Sequence, residues 1–113
     1  MIVEPLSLQH ARALARKILA DGITRFSSHA LEELKKDRLT EVDATNVIRA
    51  GIARAAEFEN GSWRYRFDTP KIVVIIAFRN ADDAELESEL AAAPGAMKSK
   101  IAVVTAWRLK ERN

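Results

Sequence analysis

Cysteine is absent from the 113 residues. Disulfide frameworks, thiolate metal sites and cysteine nucleophiles go with it, and the absence suits a reducing compartment. Long hydrophobic runs are missing too: no stretch nears the roughly 18 apolar residues that a membrane span requires. Met1–Pro5 carries Glu4 and leads into an amphipathic pattern, so no secretory leader is expected, and the cytoplasm is the default location. The four glycines form neither G-x-x-x-x-G-K-[ST] nor G-x-G-x-x-G, which disfavours a nucleotide cradle. No G-x-S-x-G elbow occurs either. The two histidines, His10 and His29, fall on different predicted helices, so no zinc site is expected. No cofactor of any kind is called for.

What remains is an ordinary globular composition. The hydrophobic share is 48% and the charged share 30%, in a chain of the commonest single-domain length. The formal net charge is +2, but its distribution is uneven. Asp82, Asp83, Glu85, Glu87 and Glu89 form an acidic stretch. Beyond it, Lys98, Lys100, Arg108, Lys110 and Arg112 face Glu111 alone. A basic body with one acidic segment suits a polyanionic partner.

Periodicity divides the chain in two. Ser7 caps a helix over about 8–20, with Leu8, Ala11, Leu14, Ala15, Ile18 and Leu19 at helical spacing and Gly22 as its left-handed stop. An extended link over 23–26 leads to a second helix over about 29–37, capped by Ser27 or Ser28, with Ala30, Leu31 and Leu34 as its stripe. Thr40 opens a third helix with Asp43 in the capping-box position; Val42, Ala44, Val47 and Ile48 form its core face, and Gly51 ends it. Strands follow at about 53–59 and 62–68 around Asn60-Gly61, a pair that favours a type I′ hairpin turn. The β-branched runs 72–78 and 101–107 read as central strands covered on both faces. The segment 80–99 reads as an acidic helix or mobile insertion. The whole is one α+β domain, 1–113, with N-terminal helices packed on a C-terminal antiparallel sheet.

Candidate chemistry lies mostly on the hairpin and the strand ends. Arg64 and Arg66 alternate with Trp63, Tyr65 and Phe67, so period-two geometry puts both arginines on one face and the aromatics on the other. Paired guanidinium donors suit a phosphate. Lys71 and Arg79 bracket one central strand, and Arg108 and Lys110 follow the other. With antiparallel pairing, Arg64 or Arg66, Lys71 and Arg108 are expected to converge at one edge. His29, in the first turn of a helix, is a candidate proton carrier. Trp63 and Trp107 can stack on bases, although both more often serve as core residues.

The order of these pieces resembles a known group. The residues that carry it are Asp21-Gly22, Thr24-Arg25-Phe26-Ser27-Ser28-His29-Ala30-Leu31, then Leu39-Thr40-x-x-Asp43, Asn46-Val47-Ile48 and Gly51. The aromatic hairpin, the 71–78 strand and Val103–Arg108 complete it. Together they resemble MqsR-like toxins within the broader RelE-like group of type II toxin–antitoxin ribonucleases. They are closest to a related uncharacterised family of small domains with a Ser-x-His-Ala signature. The resemblance implies a RelE/MqsR-like fold and a cytoplasmic, metal-independent endoribonuclease that cleaves mRNA and is held inactive by an antitoxin protein. By position, Arg64 stands where the family has an active Gln, Lys71 near its active Tyr, and Arg108 where it has Lys. Arginine stays protonated, so His29, Tyr65 or a Glu of the acidic segment is left as the base.

The expected catalytic set is therefore Arg64, Lys71, Arg108, His29 and Tyr65. Arg66, Arg79, Lys98, Lys100 and Lys110 are expected to bind RNA. The partners expected are RNA, an antitoxin and, as a further option, a second copy in a homodimer, with no membrane. The competing reading is a non-catalytic RNA- or protein-binding module of the same fold.

Overall fold

The computed structural model describes residues 1–110; Glu111 and Arg112 of the basic tail lie outside the described residues. Helix α1 spans Leu8–Asp21, strand β1 Ile23–Phe26, helix α2 Ser28–Lys36 and helix α3 Glu41–Ala50. Strands β2 (Ile52–Ala53), β3 (Glu57–Glu59), β4 (Ser62–Asp68) and β5 (Ile72–Asn80) follow, then helix α4 (Leu86–Leu90) and strand β6 (Ser99–Arg108). The sheet runs β1-β6-β5-β4-β2, with β3 paired to β4 beside it. The architecture is α+β, as the change of period predicts. No described helix is long and apolar enough to cross a membrane.

The helix starts follow the sequence signals. Ser7 and Ser27 accept from the third backbone N–H of their helices, at 3.1 Å from His10 and 3.0 Å from Ala30. Thr40 and Asp43 form a complete capping box, in which each side chain accepts from the other residue's backbone N–H. At the hairpin tip, Asn60 and Gly61 both take positive φ, 48° and 80°, the conformation a type I′ turn demands.

Other expectations need correction. Gly22 ends α1 at φ −122°, so no left-handed stop is present. Gly51 also ends its helix in extended conformation, but for a packing reason. A Cβ there would stand 2.5 Å from the Val47 carbonyl oxygen and 2.8 Å from that of Asp68. Leu8, Leu31 and Val42, assigned to apolar stripes, are exposed. The supposed single strand over 53–59 is two short ones, with residues 54–56 outside both. The extended link 23–26 is β1, paired parallel to β6 from Ile23↔Lys100 to Phe26↔Val103, so the sheet is not wholly antiparallel.

The acidic segment is anchored. Glu89 is buried and its carboxylate accepts from the backbone N–H groups of Lys98, at 2.7 Å, and Ser99. Ala84 joins the core, and Leu86, Leu90 and Met97 pack against it. Helix α4 touches α1, so this segment lies on the helical side of the molecule.

One face of the sheet carries the core. Tyr65 and Phe67 of β4, Val74, Ile76 and Phe78 of β5, and Ile101, Val103 and Ala106 of β6 join Leu14, Ile18, Val47 and Ile48 from α1 and α3. The other face is covered unevenly: Val73 and Ala77 are buried there, whereas Ile75, Thr105 and Trp107 are only partly covered. The two apolar strands were expected to be covered on both sides, and the cover on this second side is only partial.

Candidate functional site

Alternation on β4 sends Arg64, Arg66 and Asp68 to the open face and Trp63, Tyr65 and Phe67 toward the core. The sheet register extends the open face in rows: Arg66 lies opposite Ile75 and Thr105, and Asp68 opposite Val73 and Trp107. A register shift falls between Ile75 and Ile76, which pair with Thr105 and Val103. Val104 is the extra residue, a β-bulge. Its carbonyl accepts from the Ser27 hydroxyl at 3.0 Å, and that of Val103 accepts from the Ser27 N–H. These bonds dock the start of α2 against β6, which brings His29 over the open face.

The result is a groove of about 450 Å³, lined by His29 and Trp107 on one wall and by Arg54, Glu57, Glu59, Arg64 and Arg66 on the other, with Ile75, Val104 and Thr105 between them. That volume lies in the usual range for small-molecule sites, roughly 300–1,000 Å³.

The arginines differ in how they are held. Asp68 is buried and grips two of them. Arg54 meets it through two parallel bonds, Nε to Oδ2 at 2.9 Å and Nη2 to Oδ1 at 2.8 Å. Arg66 Nε donates to Oδ2 at 3.0 Å. The Arg54 bonds, with Arg66 adding to them, hold the Asp68 carboxyl down to about 2 against the opposing effect of burial. Both guanidinium groups keep donors for a ligand. Arg64 is held otherwise: its Nε is buried with no partner, which costs free energy until an acceptor arrives. Glu57 sits opposite Arg64 in the β3–β4 ladder, so a carboxylate shares this wall.

The remaining expected residues separate. Lys71, Arg108 and Lys110 come together, with Asp37, Pro70 and Leu109, in a second hollow at the end of the sheet. The Asp37 carboxylate accepts from the Arg108 backbone N–H at 2.8 Å. Arg64 does not join them: it lies near the Ala77 end of β5, roughly 20 Å along the strand direction from Lys71. The expected convergence of Arg64 or Arg66 with Lys71 and Arg108 is therefore replaced by two groups, since antiparallel pairing sets Arg64 and Lys71 at opposite ends of their strands and keeps Arg66, opposite Ile75, with Arg64 in the groove.

Tyr65 is not available for catalysis. It is buried, donates to Glu4 at 2.8 Å and accepts from the Leu6 N–H at 3.0 Å. Burial drives its hydroxyl well above the usual range, and Glu4 adds to this. Arg79 lines another hollow with Glu4 and Trp63. Lys98 pairs with Asp83 at 2.7 Å, and Lys100 is opposite Arg79 at the far end of the sheet. His10 is exposed on α1 beside α4. Trp63 packs against the core and meets Phe58 edge-on, whereas Trp107 lies in the groove.

Sequence reasoning missed Arg54, Glu57, Glu59, Asp68 and Thr105. Asp68 was readable, because it shares the parity of Arg64 and Arg66. Arg54 and Thr105 were not, since each depends on a break or bulge in a ladder. No family model, no curated protein and no solved structure matches this chain.

Proposed function

We propose that the groove cleaves RNA, as an endoribonuclease that needs no metal. One observation carries the reading: His29, Glu57, Arg64, Arg66 and Trp107 line one groove. In this reading the scissile phosphate lies on Arg64, whose buried Nε lacks an acceptor, and on Arg66, which Asp68 orients. A base stacks on Trp107. Glu57 then takes the ribose 2′-hydroxyl proton, and that oxygen attacks the adjacent phosphorus. The bond to the 5′-oxygen breaks, and His29 gives that oxygen its proton. The products are a 2′,3′-cyclic phosphate and a 5′-hydroxyl.

Proton transfer contributes about 10²–10⁴-fold, and fixed cations on the developing charge about 10²–10³-fold each. Lys71, Arg108 and Lys110 stand outside this chemistry. That the enzyme is the toxin of a toxin–antitoxin pair, acting on mRNA in the cytoplasm with an antitoxin as partner, rests on the sequence resemblance alone.

The test is digestion of a mixed-sequence RNA in EDTA, with fragment ends mapped. Cyclic phosphate ends, and no cleavage of the 2′-O-methyl analogue, support the reading. Binding of that RNA by the folded protein with no fragments overturns it in favour of a non-catalytic binding module.

A further inference from the structure

The groove does not end at Arg66. A shallower hollow continues from it, lined by Arg54, Arg66 and Asp68 on one side and by Thr69, Pro70 and Leu109 on the other. Pro70 and Leu109 also line the hollow that holds Lys71, Arg108 and Lys110. The three depressions thus share lining residues in sequence and form one track from the hairpin end of β4 to the end of the sheet. Arg64 to Asp68 covers roughly 13 Å, and the final hollow takes the track to roughly 20 Å.

Charge along the track is graded. Glu57 and Glu59 lie near the hairpin end, opposite Arg64 and Ser62. Toward the other end the carboxylates are Asp68, which accepts from the Arg54 and Arg66 guanidinium groups, and Asp37, which accepts from the Arg108 backbone N–H. A small anionic substrate has no use for cations this far from Arg64. A polymer with a charge at every residue does.

We propose that this track is the path of a single nucleic-acid strand, with the phosphates flanking the groove bound at Lys71, Arg108 and Lys110. The proposal builds on the RNA reading of the groove and extends it to the length and strandedness of the substrate. Trp107 supplies the strandedness: its ring lies in the groove, next in sequence to Arg108. A base can lie on that ring only with a face uncovered, which duplex stacking denies it. The track's reach compares with the lower end of the roughly 4–16 nucleotides covered by small single-strand-binding folds.

The probe is an eight-residue 2′-O-methyl oligouridylate, which internal attack cannot cleave, beside its dinucleotide. Binding of each is followed by fluorescence anisotropy from low to moderate salt. The eight-mer is expected to bind at least ten-fold more tightly. Each phosphate contact contributes about 0.7 to the slope of log K against log salt for a single strand. The double variant Lys71→Ala/Lys110→Ala, in which both side chains are exposed, should lower that slope by about 1.4 for the eight-mer.

An unchanged slope in the folded variant overturns the proposal. So does a duplex of the same length that binds as tightly, or an oligoglutamate of equal charge that displaces the strand equally well. Because the probe is uncleavable, these results are independent of catalysis: a protein that binds the eight-mer as described yet never cuts RNA would keep the track and lose the ribonuclease.

Discussion

Replacing Asp68 with Asn tests the electrostatic keystone of the groove. In the folded chain its carboxyl is held at about 2, from an ordinary 3.8. At 1.36 kcal/mol per unit, that shift corresponds to about 2 kcal/mol of stabilisation at neutral pH. The partners, however, are half in water, with the Arg54 side chain 52% and Arg66 44% exposed. Solvent screening of such pairs reduces the expected effect to about 1 kcal/mol. The folded value lies below the unfolded one, so the stabilisation is complete above about pH 4 and fades as pH falls toward 2.

The assay is urea unfolding followed by circular dichroism, for wild type and Asp68→Asn, at pH 6 and near pH 2. Comparison with the variant cancels the other carboxylates. The expected gap is about 1 kcal/mol at pH 6, nearly closed near pH 2. A gap of the same size at both values, or none at pH 6, refutes the ion-pair account. The variant also frees Arg66 to swing, so affinity for the 2′-O-methyl strand should fall several-fold at pH 6.

Three substitutions probe the frame around the groove. Tyr65→Phe strands the buried Leu6 N–H and the half-buried Glu4 carboxyl, whose titration burial already raises; it should cost about 1–3 kcal/mol in urea unfolding and leave RNA cleavage per folded molecule intact. Glu89→Ala removes the acceptor for two backbone N–H groups and should cost about 2–4 kcal/mol, with faster amide exchange at Lys98 and Ser99. Gly51→Ala drives a methyl against two carbonyl oxygens and should lower stability by about 1–3 kcal/mol.

Local chemistry was the legible part of this chain. The capping box at Thr40 and the Asn60-Gly61 turn rest on contacts within four residues, and both stand as read. The two faces of β4 were equally plain, because alternation needs no partner strand. Long-range register was not legible. Ile23–Phe26 carries no mark of a parallel edge strand, and becomes one only because β6 lies beside it. The bulge at Val104 leaves no signal in a run of apolar residues, yet it places Thr105 and Trp107 on the open face. In sequence Lys71, Arg108 and Arg64 are simply cations on or beside strands. Which end each occupies depends on strand direction, and that separates Arg64 from the other two. Glu89 misled for a related reason: a buried carboxylate inside an acidic stretch looks like its solvated neighbours until the two N–H groups it serves are seen.

The central claim is that His29 and Arg64 act on the same phosphodiester. The most direct measurement is the initial rate of cleavage of one single-stranded RNA, in EDTA, by wild type, His29→Ala and Arg64→Ala, each verified as folded. His29→Ala is expected to lose about 10²–10⁴-fold and Arg64→Ala about 10²–10³-fold, with cyclic phosphate ends wherever cleavage persists. Cleavage by wild type that neither substitution slows would contradict the account, and so would a folded wild type that never cuts.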